Sequence, residues 1–295
     1  MPKSRIRILV FLLTITLVFV STAAAQVKPV AHGLWVWKGP TVVTTERGSK
    51  SLRDFCVAQS INEVYISVSA QGDPEANAHL ARAIAELHRA HMRVEALLSS
   101  EEADEPGKHR DKLLDHVREI VAFNAQHPAA RFDGVHIDVE PQQRPENKGP
   151  GNLRFVPGLV DAYRAVLAVA QPANLTVNAD IQNKLLKGDR AEREMLLTSL
   201  PHFTLMLYEV SSPTDGESLE QQKQKIVDAS EKFFAMAYDG LTGEHLATLT
   251  IGLRTPDYGE HLPEMLQAVD AANRANPHYA GWARHSYNDT LKNSQ

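Results

Sequence analysis

The sequence predicts a (β/α)8 barrel, the TIM-barrel architecture, and three observations carry that expectation. Eight short apolar runs recur along the chain, helix-period segments lie between them, and no linker, repeat or low-complexity stretch interrupts the pattern. At 295 residues, and roughly 100–200 residues per domain, the chain holds one large domain or two small ones. A doubly wound open sheet is the alternative for alternating strands and helices. It advertises itself by a glycine-rich phosphate loop after the first strand, and none is present.

A leader precedes the first strand. Lys3, Arg5 and Arg7 come before an uncharged apolar run over residues 8–20, and small residues follow to Ala23-Ala24-Ala25. That order is the order of a secretory signal peptide. Residues 1–25 are therefore expected to be cleaved, leaving 26–295 as the barrel in a secreted or periplasmic protein. The run falls short of the ~20 residues that span a bilayer, so no stable membrane insertion is expected after cleavage. An uncleaved anchor is the alternative. Those three cations are the only charges before residue 26, so the remainder is more acidic than the formal net charge of −5. A chain so balanced lacks the cations to neutralise phosphates, which argues against a nucleic-acid partner. The single cysteine, Cys56, excludes an intrachain disulfide and a cysteine-based zinc site.

The first strand is expected at 33–37, where Trp35 and Trp37 flank Val36 and share a face; a helix follows at 51–60. The second, 63–69, carries Tyr65. Asp73-Pro74 then opens a helix as N-cap and first-turn proline, with Leu80, Ile84 and Leu87 on one face and His91 one turn on. The third strand, 93–99, precedes a helix at 110–126 whose Leu113, Leu114, Val117, Ile120 and Val121 form an apolar stripe. The fourth strand is 134–140, followed by a polar loop and a helix at 153–169. On the fifth, 175–181, Asn178 and Asp180 share a face. A helix at 191–200 leads to the sixth, 204–210, with Met206 and Tyr208 on one face and Glu209 beside them. Helices at 218–234 and 261–274 flank the seventh strand, 247–253, after which comes Arg254. The eighth, 279–285, carries Trp282.

In such barrels the reacting groups sit at the C-terminal ends of the strands. The fourth strand is the one loaded with chemistry: Asp133-Gly134-Val135-His136-Ile137-Asp138-Val139-Glu140, stopped by Pro141. Alternation puts His136, Asp138 and Glu140 on one face, the barrel interior, where burying three ionisable groups is expensive without a use for them. Asp138 and Glu140 would have Cα atoms about 6.5 Å apart, two steps of ~3.3 Å. Neighbouring carboxylates resist double ionisation, so one pKa should rise and make Glu140, at the mouth, a candidate general acid. A structural His136–Asp138–Glu140 network without turnover is the alternative. A metal held by the same array is a further one, with poor geometry from a single strand.

This stretch resembles the D-G-x-D-x-D-x-E signature of chitinase-type, family-eighteen glycoside hydrolases, on the strand where that family carries it. Met206-Leu207-Tyr208-Glu209 is similar to the family's M-x-Y-D, and Trp282 to the tryptophan that floors its sugar site. The resemblance implies that Glu140 protonates the glycosidic oxygen and that Asp138 orients the substrate's 2-acetamido group. The carbonyl of that group would act as nucleophile, with Tyr208 holding it. Two carboxylates on one strand approach from one side and cannot flank a sugar on opposite faces, as an acid and a protein nucleophile must. Two departures accompany the match. His136 replaces the first strand aspartate, and the third strand ends Ala96-Leu97-Leu98-Ser99-Ser100 without the family's S-x-G-G. A non-catalytic sugar-binding barrel is therefore the competing class, and Glu209 is a candidate second carboxylate for a conventional two-acid mechanism.

The predicted ligand is a carbohydrate, expected to be an N-acetylated polysaccharide, with no cofactor and no metal. Beyond the catalytic candidates, its binding residues are expected among Trp35, Trp37, His136, Asn178, Asp180, Met206, Arg254, Glu209 and Trp282. Tryptophan faces stack on sugar rings; the polar groups would bind hydroxyls. The loop over 141–152 is placed to shape access to the site.

Overall fold

A computed structural model describes residues 30–292 except 69–72, 150, 209–212, 215 and 244. The expected leader therefore lies outside the described residues, as do the end of the second predicted strand, at residue 69, and the end of the sixth, at 209–210. Within the described residues, eight parallel strands close into a barrel in sequence order, each bonded to the next and the last to the first.

In chain order these are β1 (Ala31–Val36), α1 (Gly39–Val43), α2 (Glu46–Ala58), β2 (Glu63–Ser67), α3 (Pro74–Arg89), β3 (Arg93–Ser100), α4 (Lys108–Gln126) and β4 (Gly134–Val139). Then come α5 (Val156–Ala170), β5 (Thr176–Gln182), α6 (Arg190–Leu197), β6 (His202–Met206) and α7 (Leu219–Tyr238). Next are β7 (Thr248–Arg254), α8 (Thr255–Tyr258), α9 (Leu262–Asn273), β8 (Tyr279–His285) and α10 (Tyr287–Lys292). The short helices α1, α8 and α10 were not expected; each is a single turn or so attached to a strand's C-terminal end.

Local sequence sets the helix starts. Asp73 caps α3 by accepting the Glu75 N–H at 2.9 Å, with Pro74 in the first turn. Asp189 with Glu192, and Ser218 with Gln221, form reciprocal capping boxes on α6 and α7. Each cap is worth about 1 kcal/mol. The outward faces of the strands and the inward stripes of the helices, such as Leu80, Ile84 and Leu87 of α3, make the main apolar core. Inside the barrel a second, smaller cluster of Trp35, Tyr65, Leu97 and Ala283 fills the middle. Gly252 leaves room there, since a Cβ would come within 2.9 Å of the Trp35 ring. Asp133 ties the bottom of the barrel, accepting from the Val94 N–H at 2.8 Å and meeting His88 Nε2 at 3.0 Å.

β8 contains one irregularity with consequences for the site. Leu249 pairs with Tyr279 but Thr250 pairs with Gly281, so Ala280 is an extra residue in the ladder. Gly281 has a φ of +146° and an added Cβ would lie 1.9 Å from the Ala31 carbonyl oxygen, so only glycine fits that bulge. Beyond the bulge the in–out alternation of β8 is reversed.

No helix among the described residues is long and apolar enough to cross a membrane.

Candidate active site

The strands' C-terminal ends open into a cavity of about 640 Å³. β4 and its first loop residue contribute Asp138 and Glu140, and β5 contributes Asp180 and Gln182. Trp35 and Trp37, from β1 and just after it, stand across the barrel with His285 of β8, and Met206, Tyr208 and Arg254, at the ends of β6 and β7, line the cavity between. The segments after β4 and β5 add Gln142, Gln143, Lys148, Lys184 and Lys187.

Glu140 is half-buried, and its two carboxyl oxygens are unlike. Oε1 accepts from the side-chain amides of Gln182 at 2.8 Å, Gln142 at 3.1 Å and Gln143 at 3.4 Å. Oε2 has no protein donor among the described residues, which leaves it the natural seat of a proton. Burial raises the Glu140 pKa; the amide bonds from Gln182 and Gln143 oppose the rise, and Asp180 and Glu101 add to it. Asp138 is buried, and its Oδ1 has no hydrogen-bond partner among the described residues. Its carboxyl is pushed well above the usual range by burial, then by the neighbouring Asp180 and Glu140; His136 pulls the other way. Both carboxyl groups at the mouth thus hold a proton more tightly than a solvated carboxyl does, Asp138 strongly so. The Tyr208 phenol is likewise raised by burial and by Asp180, Asp138 and Glu140, so it faces this group as a neutral O–H donor.

Beneath the mouth the barrel holds a paired spine of charges. Asp180 accepts the Trp35 indole N–H at 3.0 Å and meets His136 Nε2 at 2.8 Å. The other ring nitrogen of His136 lies 3.3 Å from Glu95, which also accepts two bonds from the Asn178 amide at 2.7 and 2.9 Å. Arg93 bridges Glu95 at 2.7 Å and Glu63 at 3.0 Å from below, and Tyr65 donates to Glu63 at 3.0 Å. The Tyr65 ring stacks on His136 with centroids 3.8 Å apart. Burial alone would lower the His136 pKa, but Asp180 and Glu95 outweigh it and raise it to about 10. Burial would raise Glu95, but His136, Arg93 and Asn178 bring it down to about 2. His136 is therefore an imidazolium between two carboxylates.

Most of the predicted residues meet in one place. Glu140, Asp138, Tyr208, Trp35, Trp37, Asp180, Met206 and Arg254 all line the cavity. Three predicted residues do not reach it. His136 and Asn178 lie one layer deeper, inside the spine, together with Tyr65. Trp282 faces outward, packs in the outer core and stacks on His32 at 4.2 Å, because the bulge at Ala280 turns it away from the interior. β8 offers His285 to the cavity instead, which accepts from the Trp37 indole at 2.7 Å and whose pKa is lowered by burial. Glu209 lies outside the described residues. Gln182 was missed although alternation from Asn178 and Asp180 places it on their face. The lysines of the 3₁₀ segment Asn183–Lys187 carry no pattern that sets them apart from a solvated loop. Among the described residues no three histidine, cysteine, aspartate or glutamate side chains are grouped to hold a metal ion.

No protein-family model matches the chain, and no relative is found among curated protein sequences. Solved structures share its fold. The glycoside hydrolase domain of PgaB (BpsB) from Bordetella bronchiseptica superposes with a TM-score of 0.54 at 13% identity, covering 90% of this chain and 96% of that one. A family-18 chitinase from Pseudoalteromonas aurantia gives 0.53 at 11% identity, covering 90% and 100%. A chitinase from Bacteroides thetaiotaomicron gives 0.52 at 12%, covering 89% and 93%. At such identities the likeness is one of fold: the chain has the closed barrel of these glycoside hydrolases.

Proposed function

We propose that the protein is an exported glycosidase that cleaves an N-acetylated polysaccharide, with Glu140 as general acid and base. The observation that carries this reading is the pair Asp138 and Glu140. They come from β4 and the residue that follows it into a large open cavity, and the surroundings of both raise their pKa. The expected leader over 1–25 supplies export, and 26–295 is the catalytic domain.

In this mechanism Glu140 donates its proton, from Oε2, to the glycosidic oxygen as the C1–O bond breaks. The carbonyl oxygen of the sugar's 2-acetamido group bonds to C1 in the same step and makes a cyclic oxazolinium. Tyr208 donates its O–H to that acetamido group. Asp138 receives the acetamido N–H at Oδ1, since a protonated carboxyl retains one acceptor oxygen. Water then attacks C1, its proton returns to Glu140, and the acetamido group is released. Because the nucleophile belongs to the substrate, no second protein carboxylate is needed on the far face of the ring. Trp35 and Trp37 provide aromatic surface, and Gln182, Gln142 and Gln143 hold the acid's other oxygen in place.

A panel of N-acetylated and plain glycans, incubated with the wild-type protein and with Glu140→Gln, tests the reading. Cleavage of acetylated glycans by the wild type alone is the expected result. Cleavage of plain glucans and not acetylated ones would overturn the substrate-assisted step. Binding without cleavage by both proteins would make the barrel a lectin.

A further inference from the structure

We propose that the cleft takes an anionic glycan, one whose sugars carry carboxylate or sulfate groups, along a lysine wall formed by Lys148, Lys184 and Lys187. This rests on the glycosidase reading of the same site and names the class of its substrate.

All three lysines line the cavity that contains Glu140. Lys148 comes from the loop after β4, and Lys184 and Lys187 from the segment Asn183–Lys187 directly after β5. Lys184 joins the two segments: its ammonium donates to the Asn147 carbonyl at 2.8 Å and stands 5.8 Å from the centre of the Phe155 ring. None of the three is paired with a carboxylate among the described residues, whereas Lys223 and Lys225 on α7 meet Glu220 and Glu217 at 2.7 and 3.1 Å. Arg254, at the end of β7, is held by Asp257 at 2.6 Å and is not part of the wall.

The carboxyl groups below do not cancel these cations. Asp180 is matched from beneath by His136. Glu140 Oε1 is taken up by the amides of Gln182, Gln142 and Gln143, and burial pushes the Asp138 carboxyl well up. Nor does the wall follow from composition, since the chain has 36 acidic and 31 basic side chains. An acidic protein that gathers ammonium groups without carboxylate partners in the cleft that holds Glu140 focuses a positive potential where the substrate lies. Burial lowers the Lys184 pKa, and an anion at that site would relieve the cause. Placement narrows the substrate further. Gln182, which holds Glu140, immediately precedes the lysine segment, while the tryptophans stand opposite. The charged sugars would therefore lie to one side of the bond being cleaved, with uncharged ring surface on the other.

Calorimetric binding to the Glu140→Gln protein, which avoids turnover, distinguishes the outcomes. The probes are a hyaluronan octasaccharide with alternating N-acetylglucosamine and glucuronate, a neutral chitin hexasaccharide, and a cationic, partly deacetylated chitosan oligomer. The expected order is hyaluronan tightest and chitosan weakest, with hyaluronan affinity falling as salt rises. Adding Lys184→Ala and Lys187→Ala together should weaken hyaluronan about tenfold and leave chitin unchanged. Lys187→Glu, at an exposed position, gives the same comparison without touching the packed Lys184. Equal or tighter binding of chitin or chitosan would overturn the anionic substrate while leaving the glycosidase reading intact. An equal loss for all three probes in the lysine variants would also overturn it, by showing that the wall acts through shape. Binding of none of the probes would overturn the carbohydrate reading itself.

Discussion

At the floor of the barrel, Glu63, Glu95 and Asp180 each meet a cation, Arg93 or His136, within hydrogen-bond distance. Two residues past His136 on the same strand face, Asp138 meets none among the described residues, and Glu140 two residues further is held there by amides. The two regions use the same residue types, on the same inward faces, in opposite ways. Below, pairing outweighs burial at Glu95, whose pKa falls, and at His136, whose pKa rises, and the pairs lock neighbouring strands together; Glu63, buried and facing Glu95, is raised in spite of Arg93. Above, burial outweighs the groups that oppose it, so the pKa of both Asp138 and Glu140 is raised. Pairing stabilises the fold; its absence prepares acid chemistry. The contrast also accounts for His136 standing where the glycosidase signature has aspartate. A third carboxylate, Asp180 from β5, projects into the same layer, and a cation between it and Glu95 prevents two buried negative charges from facing each other.

The contrast can be broken from either side. The largest effect is expected at the mouth. Glu140→Gln should lower glycan cleavage by roughly 10²–10⁴-fold, the usual range for a general acid–base group, with an unfolding midpoint like that of the wild type. Steady-state assays beside a urea titration would show both; an unfolded variant would move Glu140 to the floor's side of the comparison. At the floor, His136→Ala leaves Glu95 and Asp180 buried opposite a gap. It should cost about 3–5 kcal/mol of stability, the range for removing one partner of a buried pair, read from urea denaturation.

The floor should also write its signature into the pH dependence of stability. The folded-state pKa of His136 is raised to about 10 from its ordinary 6.5. Its contribution is therefore fully present below about pH 6.5 and is lost as pH climbs through 10. Glu95 is lowered to about 2 from 4.5, so its share is present above pH 4.5 and is lost as pH falls through 2. Urea midpoints across pH 7 to 10 should decline in the wild type. The same series in His136→Ala should lack that decline, and a flat wild-type curve would contradict the imidazolium. The smallest effect is expected from Tyr208→Phe, which removes one hydrogen bond to the reacting group. About a tenfold fall in kcat, or about 1.4 kcal/mol, is the rate equivalent of one such bond.

Periodicity made the barrel legible, because strand and helix spacing follow directly from burial on one face or two. It also brought Asp138 and Glu140 to one cavity, since both follow from the alternation along β4 and the residue after it. Tertiary partners were out of reach. Asn178 pairs with Glu95, 83 residues away, and nothing in either strand alone announces the other. His136 read as a substrate-binding residue, yet its side chain ends in the layer below the cavity, two residues before Asp138 on β4, where it meets Glu95 and Asp180 from neighbouring strands. Trp282 was misplaced by a single inserted residue. Its clue, Gly281 within an apolar run, is the kind of glycine that marks a bulge, and counting alternation through it reverses the face.

The central claim is that Asp138 at the mouth is held protonated while Glu95 and His136 beneath it remain ionised. Infrared difference spectroscopy of the wild type against Asp138→Asn at pH 7 tests it most directly. The account predicts that the substitution removes the C=O band of a protonated carboxyl. Loss of an ionised carboxylate band instead would contradict it and place Asp138 among the paired charges of the floor.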